Sequence, residues 1–97
     1  MKTSLAEINA VRDAHDLVQV IGKEIPLYPA GGLWVGRCPF CAAARDHHFQ
    51  VHPRRQTFHC LACHADGDLF AWMQRFRGLS FAQALEQLRH GTAEVAA

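Results

Sequence analysis

Hydrophobic and polar positions change period several times along the chain, and each change marks an element. Behind Ser4, with Glu7 three positions on, Leu5, Ile8 and Val11 recur at helical spacing and predict an amphipathic helix over 5–14. Asp16 is placed to cap a second short helix through Leu17, Val18, Val20 and Ile21, ended by Gly22. The pattern then turns extended. Ile25-Pro26-Leu27-Tyr28 reads as a strand, Pro29-Ala30-Gly31-Gly32 as a turn, and Leu33-Trp34-Val35 as its return. His48-Phe49-Gln50-Val51-His52 alternates with period two, Pro53-Arg54-Arg55-Gln56 turns, and Thr57-Phe58-His59-Cys60 comes back antiparallel, with Phe49, Val51 and Phe58 on the buried side. Helical spacing resumes after Asp68, with Leu69, Trp72, Met73 and Phe76 on one face up to Gly78. A second capping box, Ser80 with Gln83, opens a last helix whose Phe81, Ala84, Leu85 and Leu88 face the core as far as Gly91. The expected fold is α+β: a small antiparallel sheet flanked by N-terminal and C-terminal helices.

Composition bounds this fold without changing it. At 97 residues, 49% hydrophobic and 20% charged, the chain is neither disordered nor a multidomain enzyme. A single domain over 1–91 and a flexible tail over 92–97 are expected. No apolar run approaches the roughly eighteen residues of a membrane span, and the N-terminus lacks a signal-type segment, so a cytoplasmic protein is expected.

The four cysteines carry the strongest chemistry. Cys38-Pro-Phe-Cys41 and Cys60-Leu-Ala-Cys63 are C-x-x-C pairs with 18 residues between them, a spacing that reads as one zinc site. A chain this short buries a smaller fraction of its surface than a larger domain does, and small folds often recruit a metal or disulfides to make up the deficit. Four thiolates fill a tetrahedral shell and leave no position for substrate, so the ion is structural. The alternatives are free buried thiols, a redox pair or an iron site; a redox motif needs only one pair. His47, His48, His59 and His64 lie near enough to be spare ligands, but a residue flanking a cysteine in such a knuckle points away from its neighbour's metal. Structural zinc contributes about 10–16 kcal/mol in small domains, and chelation is expected to unfold residues 33–65.

The charge is unevenly spread. The whole chain has 10 Lys and Arg against 9 Asp and Glu, a net +1, which excludes a strongly basic nucleic-acid binder. From Trp34 to His59, however, Arg37, Arg45, Arg54 and Arg55 face only Asp46, a local +4 − 1 = +3. The same stretch carries Trp34, Phe40, Phe49 and Phe58, and cations interleaved with aromatics suit single-stranded nucleic acid. The candidate contacts are Arg37, Arg45, His52, Arg54, Arg55, Phe58 and His59. Two roles compete at several of them. The aromatics are equally the core of a small sheet, and Arg37, beside Cys38, can instead neutralise the tetrathiolate.

Nearly the whole chain resembles the zinc-binding domain of bacterial DnaG-type primases, the CHC-type zinc fingers. Asp16-Leu17-Val18-Gln19-Val20-Ile21-Gly22 is similar to the family's D-I-V-x-V-I-G segment, and Ile25-Pro26-Leu27 to the V-x-L strand after it. Gly36-Arg37-Cys38-Pro39-Phe40 matches G-x-C-P-F, and Phe49-Gln50-Val51-His52-Pro53 matches F-x-V-x-P. Phe58-His59-Cys60, Gly67-Asp68 and Gly78-Leu79-Ser80-Phe81 with Ala84 follow in the family's order. Position 41 departs from it, with cysteine where the family usually has histidine. Asp46-His47-His48-Phe49 stands for T-P-S-F, and Cys60-Leu61-Ala62-Cys63-His64 for C-F-G-C-G. The last change costs two glycines and implies an altered or strained turn.

The resemblance implies a zinc ribbon that recognises single-stranded template DNA and acts with a separate primase catalytic domain, or with a replication protein such as a helicase. Alone it would synthesise nothing. The competing expectation is an adaptor or regulator that keeps the scaffold, as on a mobile element, and contacts proteins. Broad exposure of Trp72, Phe76 or Phe81 would point that way.

Overall fold

The structure, a computed structural model, describes residues 4–41 and 47–96, with side chains described as far as Arg89. Helices α1 (Leu5–Asp13) and α2 (Leu17–Gly22) lead into strands β1 (Tyr28–Ala30), β2 (Leu33–Gly36), β3 (Phe49–His52), β4 (Thr57–Cys60) and β5 (Asp66–Gly67). Helices α3 (Leu69–Arg77) and α4 (Phe81–Ala96) complete the chain. The sheet is an antiparallel meander in the order β1-β2-β3-β4-β5. The expected α+β architecture is the one observed.

The helix starts are where their caps put them. Ser4 Oγ accepts from Glu7 N at 3.1 Å, Asp16 Oδ1 from Val18 N at 3.1 Å, and Asp68 Oδ1 from Ala71 N at 3.1 Å. The box opening α4 is reciprocal: Ser80 Oγ accepts from Gln83 N, and Gln83 Oε1 from Ser80 N. At α1 only half of the box forms, because the Glu7 carboxylate pairs with Arg89 instead. Gly78, at φ 68°, closes α3 in the left-handed conformation that glycine adopts without penalty.

Alternation along β3 and β4 divides the sheet into two faces. Phe49, Val51, Phe58 and Cys60 point inward and are buried, with Trp34 of β2 partly so. α2 packs on β3, α3 on β5 and α4, and α1 on α4. The core centres on an aromatic cluster in which the Trp72 ring lies 5.5 Å from Phe40 and 5.8 Å from both Phe49 and Phe58.

Three elements differ from expectation. Pro29 and Ala30 belong to β1 rather than to the turn, which narrows to Gly31 and Gly32 at φ 59° and 85°. Proline is tolerated there because β1 is an edge strand and loses no ladder bond that matters. β5 is new. It holds two residues against β4, and a Cβ at Gly67 would lie 2.3 Å from Ala71 Cβ, so only glycine lets this strand approach α3 so closely. Finally, α4 runs on to Ala96, past the Gly91 expected to end it. One interior glycine costs a helix about 1 kcal/mol, too little to end it here.

Candidate functional site

The metal-ligating residues converge at one end of the sheet. Cys38 lies two positions beyond the end of β2, and Cys60 closes β4, whose partner across the ladder, Phe49, also pairs with Gly36. Gly36 must be glycine: a Cβ there would lie 2.6 Å from Pro26 O. This packing holds the first knuckle against the second. Cys38 Sγ lies 3.9 Å from Cys63 Sγ, and Cys41 Sγ lies 3.8 Å from Cys60 Sγ. All four sulfurs fall within 4.8 Å of one another. Zinc–sulfur bonds of about 2.3 Å at tetrahedral angles put sulfurs about 3.8 Å apart, so the set fits one zinc ion and is far too open for a disulfide. Cys38, Cys41, Cys60 and Cys63 bind one structural zinc. Of the described histidines, none joins this ligand group.

Each knuckle also turns backbone amides onto one of its sulfurs. Phe40 N donates to Cys38 Sγ at 3.3 Å, while Ala62 N and Cys63 N donate to Cys60 Sγ at 3.3 and 3.4 Å. Burial pushes the metal-free Cys38 thiol up to about 12 and also raises that of Cys41. At Cys60 burial acts in the same direction but is outweighed by the two amide donors and by its thiol neighbours, which bring it down to about 7. The missing glycines of the second knuckle leave one trace. His64 takes φ 64°, a left-handed conformation that costs a side-chain-bearing residue free energy, while Ala62 does not.

The other candidates separate. Phe58 is 1% exposed and packs among Phe40, Phe49 and Trp72, so its ring has no face to offer a base; the nucleic-acid role expected for it is corrected to a core role. Strand alternation decides this, since Phe58 and His59 cannot both face outward. Arg45 lies outside the described residues. His52, Arg54 and Arg55 meet at the β3–β4 hairpin tip, where they line a shallow groove with Gly32 and Leu33. A second groove over β4 joins His52 and Arg55 to His59. Arg37 sits apart, lining a third with Pro26 and Tyr28.

One cross-strand row on the outward face of the sheet, with one residue per strand, is Tyr28, Val35, Gln50, His59 and Asp66, and His52 and Thr57 pair beside it on the same face. None of them belongs to the core cluster. Tyr28, 59% exposed, is the aromatic on this face that sequence reasoning missed. Its orientation depends on register with β2, which no single strand reveals. Arginines of the helical layer are engaged internally: Arg12 with Asp68, Arg77 with Glu24, Arg89 with Glu7, and Arg75 over the Phe40 ring at 4.9 Å. Arg54 and Arg55 have no ion pair among the described residues. Of the three aromatics that bear on partner docking, Trp72 is fully buried and Phe76 half-buried, while Phe81 is 39% exposed. No helix among the described residues is long and apolar enough to cross a membrane.

Comparison with known proteins agrees with this geometry. Residues 3–95 match the CHC2 zinc finger family, a DnaG zinc ribbon. The chain is 35% identical to the DNA primase of Thermotoga maritima and 36% to that of Geobacillus stearothermophilus, in both cases over 81 residues and 84% of this chain. It spans only 14% and 13% of those relatives. A crystal structure of the Aquifex aeolicus primase, comprising zinc-binding and RNA polymerase domains, superposes with a TM-score of 0.83 at 27% identity, over 89% of this chain and 21% of that one.

Proposed function

The chain belongs to the CHC2 zinc finger family as a primase zinc-binding domain of DnaG type, and from that premise we propose that it recognises single-stranded template DNA. Its partner in this reading is a primase catalytic domain, and the module itself performs no polymerisation. A closed four-thiolate centre offers no coordination position to a nucleotide, and it is the single group of three or more potential metal ligands among the described residues.

The observation that carries the reading is the division of labour between the two sides of the sheet. Inward, the sheet is occupied by core. Outward, it presents a row about 19 Å wide at about 4.8 Å per strand, with an exposed aromatic at one edge and, at the hairpin tip, two arginines without an ion pair among the described residues. Tyr28 offers a π face to a base, and Arg54 and Arg55 offer charge to phosphates. His52 shares both hairpin grooves with Arg55, one of which also takes in Arg54 and the other His59.

A second reading, docking to another protein, is favoured by the helical side, where Leu5 and Phe81 are exposed. It uses a different surface. Backbone amide spectra of the zinc-loaded chain, recorded as a short oligothymidine is added, test the two readings. Template recognition predicts shifts confined to Tyr28, Gln50, His52, Arg54, Arg55 and His59; an unchanged sheet face would contradict it.

A further inference from the structure

Asp66 is the only acid in the five strands, and it sits in the surface proposed to receive a polyanion. Its neighbour Asp68 is fully employed, capping α3 through Ala71 N and pairing with Arg12 at 3.1 Å. Asp66 has no such structural work: it forms no ion pair among the described residues. Its position is nevertheless fixed. It lies opposite His59 in the β4–β5 ladder, and β5 is held by the close approach of Gly67 to Ala71. Together Asp66, His59, Thr57, His52 and Arg55 line an open groove of about 430 Å³ over β4, with the guanidinium contributed by the hairpin tip and the carboxylate by the opposite edge.

A carboxylate is acceptor-only and repels phosphate, so within a nucleic-acid surface its attractive contacts are with base donors. We infer that this groove is a subsite for one unpaired base and that Asp66 selects guanine in it. The inference rests on the template-recognition reading. The Watson–Crick edge of guanine presents two adjacent N–H donors, at N1 and N2, which match the two carboxylate oxygens as a guanidinium does. Cytosine and adenine present one exocyclic amino group beside an acceptor nitrogen. Thymine presents one N–H between two carbonyls, both repelled by the carboxylate. The order of preference is therefore guanine, then cytosine and adenine, then thymine. Arg55, at the other end of the groove, holds backbone phosphate and favours no base.

Fluorescence anisotropy with the zinc-loaded chain tests this, using a labelled oligothymidine and the same oligomer carrying several guanines. The guanine-containing strand is expected to bind about tenfold tighter. Asp66→Asn, with zinc content and thermal melt checked, should bring the two affinities within about twofold of each other while oligothymidine binding holds or tightens, because a negative charge has left the path of the phosphates. Arg55→Ala should weaken both strands alike. Equal affinity of the unaltered chain for the two strands would overturn the inference, as would a guanine preference that survives Asp66→Asn; either result leaves template recognition standing. Failure to bind any strand would overturn both.

Discussion

Gln56, at the tip of the β3–β4 hairpin, accepts a hydrogen bond on Oε1 from the backbone N–H of Leu17, at 2.7 Å, across 39 positions of sequence. Its Nε2 donates to Pro53 O at 2.7 Å and to Asp16 Oδ1 at 3.2 Å, so one side chain ties the hairpin to the first turn of α2. The residue is held at φ 54°, a conformation that disfavours any residue with a Cβ. Arg54 and Arg55 are therefore carried on a turn anchored to the helical layer, not on a free loop.

Replacing Gln56 should separate strain from hydrogen bonding. Gln56→Ala loses all three bonds, leaves the partly buried Leu17 N–H without its partner and keeps the strained φ, at a cost of about 1–3 kcal/mol. Gln56→Gly loses the same bonds but relieves the backbone, and should fall between alanine and the native residue. Denaturant melts of the zinc-loaded variants check this order. An alanine variant as stable as the native chain would show that the tie contributes nothing.

Zinc loading should depend steeply on pH. With Cys38 raised to about 12, the metal-free thiol is fully protonated at neutral pH and releases its proton on ligation; Cys60, near 7, is only part-protonated there. Below about pH 6 Cys38, Cys41 and Cys60 carry protons in the metal-free chain, so affinity falls with acidity by about tenfold per pH unit for each proton displaced. The sign is one-directional: acid releases the ion, and alkali does not. Competition with a chromophoric chelator from pH 5 to 8 measures the slope, and a flat profile would contradict thiolate ligation. Removing the ion at neutral pH should unfold strands β2 to β4, read as lost amide protection.

Phe58 and Tyr28 should behave oppositely. Phe58→Ala removes a ring from the core and should cost about 3–5 kcal/mol of stability, while Phe58→Leu keeps the fold and leaves DNA affinity unchanged. Tyr28→Ala should leave the melt nearly unmoved and weaken single-stranded DNA binding by about 1–3 kcal/mol, the value of one base stack. Paired melting and binding curves for the three variants would reveal a reversal directly.

Gly67→Ala tests the approach of β5 to α3. The added methyl would meet Ala71 Cβ at 2.3 Å, so the strand must shift, and a loss of more than about 1 kcal/mol is expected. Ala71→Gly in the same chain should recover part of it despite the helix propensity lost. Additive losses in the double variant would rule the contact out as the cause.

Local signals were legible in the sequence, and relationships between elements were not. Ser4, Asp16, Asp68 and Ser80 mark their helix starts because a cap acts within three residues. The metal site was readable because each C-x-x-C knuckle is self-contained. β5 escaped because two residues have no period. Phe58 was open to both readings, core and binding face, until β4 had its place in the sheet. Tyr28 went unnoticed because its facing follows only once Val35 and Gln50 are known to be its neighbours across the ladder. α4 passes Gly91 because a propensity of about 1 kcal/mol is a weak veto.

In the proposed reading the outward sheet face binds single-stranded DNA through its hairpin arginines. Titration of the zinc-loaded chain against a labelled single strand at two salt concentrations, beside the Arg54→Ala, Arg55→Ala double variant, tests it most directly. Affinity is expected to fall steeply with salt, with a slope shallower by about 1.4 in the variant, at about 0.7 for each of two phosphate contacts on a single strand. A folded, metal-loaded chain that binds no DNA, or a variant with an unchanged slope, would contradict it.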